Sequence, residues 1–133
     1  MLARREHSER ELWQKLLAKG FEHAEIEITL DEFKEKNWQS DDRFAESYSR
    51  SRVHSGFGPV RIQYELKERG VDTSIDKVFD ELPDWQQLLS ELHAKKYGQL
   101  PPGDMKERAK RTRFFQHKGY THDMIKRLFN EMS

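Results

Sequence analysis

Arginine is the residue type here whose number and spacing suit recognition chemistry. Arg43, Arg50, Arg52 and Arg61 lie in one stretch, and Lys106, Arg108, Lys110, Arg111, Arg113 and Lys118 in another. A guanidinium presents a planar fork of donors that fits a carboxylate or phosphate through two parallel hydrogen bonds. The two clusters are therefore candidate contacts for a polyanion or an acidic protein groove. The competing reading is pairing between neighbouring helices of the same chain, which stabilises little per exposed pair.

Bond-making chemistry finds no such support. The chain has no cysteine, hence no disulfide, thiolate metal site or thiol nucleophile. Its six histidines are His7, His23, His54, His93, His117 and His122. None forms the i, i+4 pair with an intervening glutamate that a zincin helix needs, and His117 and His122 read as surface residues. Asp41-Asp42 stands at a helix start, where carboxylates complement unpaired amides. Gly56-Phe57-Gly58-Pro59 lacks the Gly-Lys-Ser/Thr ending of a phosphate loop. Trp13, Trp38, Trp85 and the Phe114–Phe115 pair are assigned to packing rather than base stacking. No catalytic residue, metal or cofactor is expected.

The elements that position these side chains follow from composition. The 133 residues are 36% charged and 35% hydrophobic, with 7 Gly and 4 Pro, which suits charged amphipathic helices rather than a large buried sheet. No apolar run approaches the roughly 20 residues needed to span a bilayer, and no signal peptide opens the chain. Together with the missing cysteines, this points to the cytoplasm. Lys plus Arg and Asp plus Glu are both 24, so the formal net charge is zero, unlike a simple nucleic-acid coat.

Three glycines organise the helices. Gly20, Gly70 and Gly119 each follow a basic residue, precede an apolar one, and have another apolar residue four positions upstream. Such a glycine is expected at helix C′ in the left-handed region, with the next apolar residue folding back on the helix. Downstream, Ile26, Leu30 and Phe33 correspond to Ile75, Phe79 and Leu82 and to Ile125, Phe129 and Met132. Spacings of four and three put each trio on one helical face. A period of about 50 residues signals a helical repeat array.

Capping signals delimit the helices. Ser8-Glu9-Arg10-Glu11 is a capping box opening a helix with Leu12, Trp13, Leu16 and Leu17. A second helix is expected from about Glu22 to Lys36, with a short strand around Ile26, Ile28 and Leu30 as the minor alternative. Ser40 or Asp41 caps a third; Pro59 begins a fourth, with Val60, Ile62, Tyr64 and Leu66 as its apolar side. Asp72 or Thr73 is expected to cap a short fifth helix ending near Pro83. Asp84 caps a sixth, bearing the Trp85, Leu88, Leu89 and Leu92 stripe. Asp104 caps a basic seventh to about Lys118, and Thr121 caps the last. The expected fold is all-α: tandem three-helix repeats over residues 1–39, 40–83 and 84–133, forming an elongated curved array. In the first repeat the leading helix is abridged to Leu2–Glu6.

Charge alternates along this array. Residues 20–42 carry two basic and eight acidic side chains, and residues 70–92 carry one and six. Residues 43–69 carry six basic and three acidic, and residues 103–127 carry eight and three. Acidic third helices thus alternate with basic leading ones.

The ordered segments Leu2-Ala3-Arg4-Arg5-Glu6-His7-Ser8, Asp41-Asp42-Arg43-Phe44-Ala45 and Gly56-Phe57-Gly58-Pro59 carry a resemblance. They combine with Arg50, Arg52, Arg61-Ile62, Glu65-Leu66 and Gly70, with Lys96-Tyr97-Gly98, and with Phe114-Phe115 through Gly119-Tyr120. Over nearly its whole length the chain resembles the RecX family of bacterial recombinase regulators. The resemblance implies a non-enzymatic protein of tandem three-helix repeats that binds the RecA filament on single-stranded DNA. It also implies inhibition of recombinase, ATPase and co-protease activity, and some affinity for DNA. The arginine clusters become candidate RecA or DNA contacts, and a monomer is expected. The alternative reading is a helix-turn-helix transcriptional regulator. Three similar units without one outstanding recognition helix speak against it.

Overall fold

The computed structural model describes residues 5–79 and 83–133. Among them are eight helices and no strand: α1 (Glu9–Ala18), α2 (His23–Glu35), α3 (Asp41–His54), α4 (Pro59–Glu68), α5 (Ile75–Val78), α6 (Trp85–Tyr97), α7 (Met105–Lys118) and α8 (His122–Met132). The expected abridged leading helix falls mostly on residues 1–4, outside the described residues; Arg5 and Glu6 are not helical. Leu82 also lies outside them.

Side chains start the helices as anticipated from sequence. The Ser8 hydroxyl accepts from the Glu11 amide and the Glu11 carboxylate from the Ser8 amide, completing the capping box. Ser40, Asp84, Asp104 and Thr121 accept from amides three residues on. The fifth helix departs from expectation. Its cap is Ser74, whose hydroxyl accepts from the Asp76 amide, not Asp72 or Thr73. It has only four residues, and Phe79 already has extended backbone (φ −102°, ψ 140°). Ile75 and Phe79 therefore share no helical face, and Val78 is the second buried side chain of this helix.

The repeat appears as one recurring turn. At Gly20, Gly70 and Gly119, φ is +92°, +83° and +105°. At each, the following amide donates to a carbonyl five residues back: Phe21 to Leu16, Val71 to Leu66, Tyr120 to Phe115. The glycine amide bonds three back, which makes each turn a Schellman motif. Val71 and Tyr120 fold onto the core at 4% exposure, whereas Phe21 remains 45% exposed.

Burial refines the apolar faces. Ile62 and Leu66 of α4 are fully buried, while Val60 and Tyr64 are exposed. Four apolar residues at every second position cannot share a helical face: each step of two turns about 200°, so they split into opposite i, i+4 pairs. Trp85 packs inside and Trp13 is partly covered, but Trp38 is half exposed, lying against Phe33 with the Lys36 ammonium over its ring.

The helices gather into two cores. Leu12, Ile26 and Leu30 hold α1 on α2, with Trp13, Leu16 and Phe33 around them. A larger core, including Phe44, Leu66, Leu89, Phe115 and Phe129, runs without a break through α3–α5 and α6–α8. Polar contacts link the two. Asp41, at the start of α3, accepts from the Glu9 amide of α1 at 2.8 Å and from Gln39 at 2.9 Å; within the small unit, Lys34 pairs with Glu9 at 2.7 Å. The chain exposes 8915 Å², against about 7,400 Å² for a compact monomer of its mass. The excess fits an elongated shape.

Between the helical groups of the larger core lies a backbone joint. The Gly58 amide donates to the Lys118 carbonyl at 2.7 Å and the Val60 amide to the Gly119 carbonyl at 2.9 Å. Unpaired amides at the start of α4 thus meet unpaired carbonyls at the end of α7, with dipoles aligned head to tail. Both glycines are needed for this approach. A Cβ on Gly58 would lie 2.7 Å from the Gly119 carbonyl, and one on Gly119 would lie 2.4 Å from the Arg61 Cβ.

Candidate functional site

Beside this joint the structure merges parts of the two basic clusters. Phe57, at the turn between α3 and α4, is surrounded by three cations. The Arg52 and Arg61 guanidinium carbons lie 3.8 and 4.4 Å from its ring centroid, and the Lys118 ammonium lies 4.2 Å away. Glu65 neutralises part of this charge. It takes two hydrogen bonds from Arg52, at 2.8 and 2.9 Å, one from Arg61 at 3.3 Å and one from the Tyr48 hydroxyl at 3.1 Å. Burial pushes the Glu65 carboxyl up, but the hydrogen bonds and charge from its arginines outweigh that and hold it below the ordinary value. Arg61 also donates to the His117 carbonyl, tying α4 to α7. Arg61 and Lys118 therefore fasten the helical groups together, while Arg52 ties α3 to α4.

Two other arginines are also committed within the fold. Arg43 pairs with Glu6 at 3.1 Å and donates to the side chain and carbonyl of Asn37, which has a left-handed φ of 59°. Arg111 is only 8% exposed, although the sequence places it in a basic surface cluster. It donates to Glu107, to the Leu100 carbonyl at 2.8 Å and to His93 Nε2 at 3.0 Å. Because Nε2 accepts from Arg111, Nδ1 is left to donate to the Gly98 carbonyl at 3.1 Å, which requires a neutral ring. Burial lowers the His93 pKa first, and the Arg111 charge lowers it further. The donors of Arg111 are thus spent inside the fold, where they clasp α6, α7 and the loop between them.

Lys106, Lys110 and Arg113 behave differently. All are exposed, and among the described residues none has an ion-pair partner. Spaced i, i+4, i+7, they form one stripe on the outside of α7, rising about 10 Å along its axis. Arg108 lies off this stripe, half-buried with its guanidinium 5.0 Å from the Phe129 ring. Arg50, on α3, is 72% exposed and paired only with Glu46 one turn back. A row of unpaired cations at this pitch can follow a phosphodiester backbone or an acidic strip of protein. Among the described residues, no cluster of His, Asp or Glu could hold a metal ion, and no helix is long and apolar enough to cross a membrane.

Sequence reasoning passed over Phe57 as a cation platform, Glu65 as a hub, and His93. The Arg61–Glu65 spacing was a legible i, i+4 signal. Nothing local connects His93 with Arg111, eighteen residues later, because that contact exists only once α6 and α7 pack.

Comparison with known proteins follows the same architecture. Models of the first, second and third three-helix domains of RecX match residues 1–33, 40–75 and 84–129. The chain is 42% identical over 132 residues to the regulatory protein RecX of Pseudomonas fluorescens, covering 98% of this chain and 85% of that one. Its identity to the regulatory protein RecX of Vibrio campbellii is 41% over 127 residues, covering 94% and 82%. The crystal structure of RecX from Lactobacillus salivarius superposes with a TM-score of 0.77 at 20% identity, over 98% of this chain and 88% of that one. With three family domains in order and these relatives along nearly its full length, the chain belongs to the RecX family of regulatory proteins.

Proposed function

We propose that this chain binds the RecA recombinase filament on single-stranded DNA and inhibits its recombinase, ATPase and co-protease activities, so modulating DNA repair and the SOS response. Membership of a regulatory family supports the general role. The observation that carries the contact assignment is the exposed, unpaired stripe Lys106–Lys110–Arg113, with Arg50 as an outlying cation. Arg43, Arg52, Arg61, Arg111 and Lys118 hold the array in shape, and Arg108 lies half-buried beside them. An elongated helical array can bridge successive protomers of a polymer, and a bridge spanning neighbours would oppose the motions that accompany ATP turnover. Single-stranded DNA is reached weakly or through the filament, and the protein acts without a cofactor in the cytoplasm.

The test is RecA ATPase on single-stranded DNA, titrated with this protein well below RecA's concentration. Loss of turnover at substoichiometric amounts is expected. The variant Lys106→Glu/Lys110→Glu/Arg113→Glu should keep its helicity by circular dichroism and require at least several-fold more protein for the same inhibition. Undiminished inhibition by that variant would remove the α7 stripe from the interface. No inhibition by folded wild-type protein would sink the functional reading.

A further inference from the structure

A groove runs between α3 and α6 on a different part of the surface from the α7 stripe. Its floor is apolar, formed by Val53, Leu88, Leu92 and Tyr120. Its rim is cationic at Arg50 and Lys95, with His54 beside them and Glu91 as the one acidic residue lining it. Arg50 is held only by an exposed i, i+4 pair, which costs little to exchange for another carboxylate. Among the described residues Lys95 has no ion-pair partner. The groove thus suits a helix that is acidic along one face and carries a single apolar anchor.

The chain itself displays such a helix. On α2, Ile26, Leu30 and Phe33 face α1, while Ala24, Ile28, Asp31 and Glu35 form the opposite stripe at i, i+4, i+7, i+11. All four are exposed; Ile28, at 69%, is among the most exposed large apolar side chains of the protein. Glu27 flanks the stripe. Among the described residues, Glu27, Asp31 and Glu35 have no ion-pair partner. The segment 20–42 carries eight acidic side chains against two basic ones, whereas the whole chain is neutral. Charge is therefore segregated between surfaces of a neutral molecule, and no net charge repels one copy from another.

We propose that the α3–α6 groove receives the outer face of α2 from a second copy of this chain, with Ile28 on the apolar floor and Asp31 and Glu35 at the Arg50 and Lys95 rim. The two surfaces differ, so a single contact leaves one groove and one α2 face open on the pair, through which further copies can join head to tail. Much of the attraction is electrostatic between exposed groups, so it weakens as salt shortens the screening length. The inference does not depend on RecA.

Sedimentation velocity on the full chain tests it, with no RecA or DNA present. At low salt the weight-average sedimentation coefficient should rise with concentration from micromolar to millimolar, and the rise should shrink at high salt. Two variants separate the surfaces: Asp31→Lys/Glu35→Lys on α2 and Arg50→Glu/Lys95→Glu on the groove. Each alone should lose the concentration dependence while keeping wild-type helicity. An equimolar mixture should recover it, because the reversed α2 of one complements the reversed groove of the other. Three results would overturn the proposal: wild-type protein monomeric throughout, association indifferent to either reversal, or no recovery on mixing. The first would leave the groove to an acidic helix of another protein. Because no arm contains RecA, failure here is distinguishable from failure of the filament reading.

Discussion

Replacing Gly58 with alanine tests the joint between α4 and α7. Gly58 has an ordinary extended backbone (φ −94°, ψ 175°), so alanine meets no dihedral strain there. The cost is contact. The new Cβ would stand 2.7 Å from both C and O of Gly119 and 2.8 Å from the Tyr120 ring. Two of these three atoms are backbone, so relief requires separating the helix ends. That breaks the Gly58–Lys118 and Val60–Gly119 hydrogen bonds, at about 1 kcal/mol each. Residual overpacking adds about 1–3 kcal/mol. The expected destabilisation is about 4 kcal/mol, a large share of the roughly 5–15 kcal/mol that keeps a domain folded. Two other glycines calibrate it. Gly20 has φ +92° but nothing within 4 Å, so Gly20→Ala should cost only the left-handed strain, about 1–2 kcal/mol. Gly103 has open space and no positive φ, so Gly103→Ala should be neutral or stabilise by about 0.5 kcal/mol. Urea unfolding followed by Trp85 fluorescence, in a background with Trp13 and Trp38 changed to Phe, reads Gly58→Ala and Gly103→Ala in the larger core, and far-UV circular dichroism, which also sees α1 and α2, reads Gly20→Ala. If Gly58→Ala falls within about 1 kcal/mol of Gly103→Ala, the close backbone approach is not a stabilising joint and the reasoning fails.

Glu65→Gln should cost about 2 kcal/mol, because it leaves Arg52 and Arg61 half-buried around Phe57 without their shared carboxylate; a thermal melt unchanged from wild type would refute the hub. Acid should weaken the fold before any carboxylate titrates. The His7 and His93 pKa values lie below 6.5, each lowered first by burial and then by neighbouring cations, so the unfolded chain takes up protons first as pH falls. Their contribution is complete above 6.5 and declines below it, and His93→Gln should flatten that part of a stability-versus-pH curve. The Glu65 contribution is complete above 4.5, declines below it as the unfolded chain takes up the proton, and is gone once pH has fallen through the depressed folded-state value. Leu30→Ala should open the small α1–α2 core, so that α1 and α2 amides exchange rapidly while those of α7 and α8 remain protected; uniform loss of protection would mean the two cores unfold as one.

Local structure was largely legible in advance because helix punctuation acts within a few residues. The capping box at Ser8, Pro59 at the first helical position, and Asp84, Asp104 and Thr121 as caps all depend on groups at most one turn away. The glycine spacing revealed the repeat because a left-handed C′ residue and its apolar successor form a self-contained motif. Where apolar residues did not follow helical spacing, the reading slipped. Val60 and Tyr64 were assigned inward with Ile62 and Leu66, but a helix must split that alternation between two faces.

From sequence alone came an all-helical chain, its glycine-marked repeat, its segregated charge, and the supply of cations from which any interface must draw. Only the tertiary structure sorted those cations. Glu65 gathers Arg52 and Arg61 across the α3–α4 turn, His93 and Arg111 meet between α6 and α7, and Lys118 reaches Phe57 from more than sixty positions along the chain. These contacts consume guanidinium donors inside the fold and leave the α7 stripe and Arg50 unburied. The reason is physical: a charged side chain's type is local, but its availability depends on which groups packing brings within about 4 Å. No one-dimensional spacing records that distance.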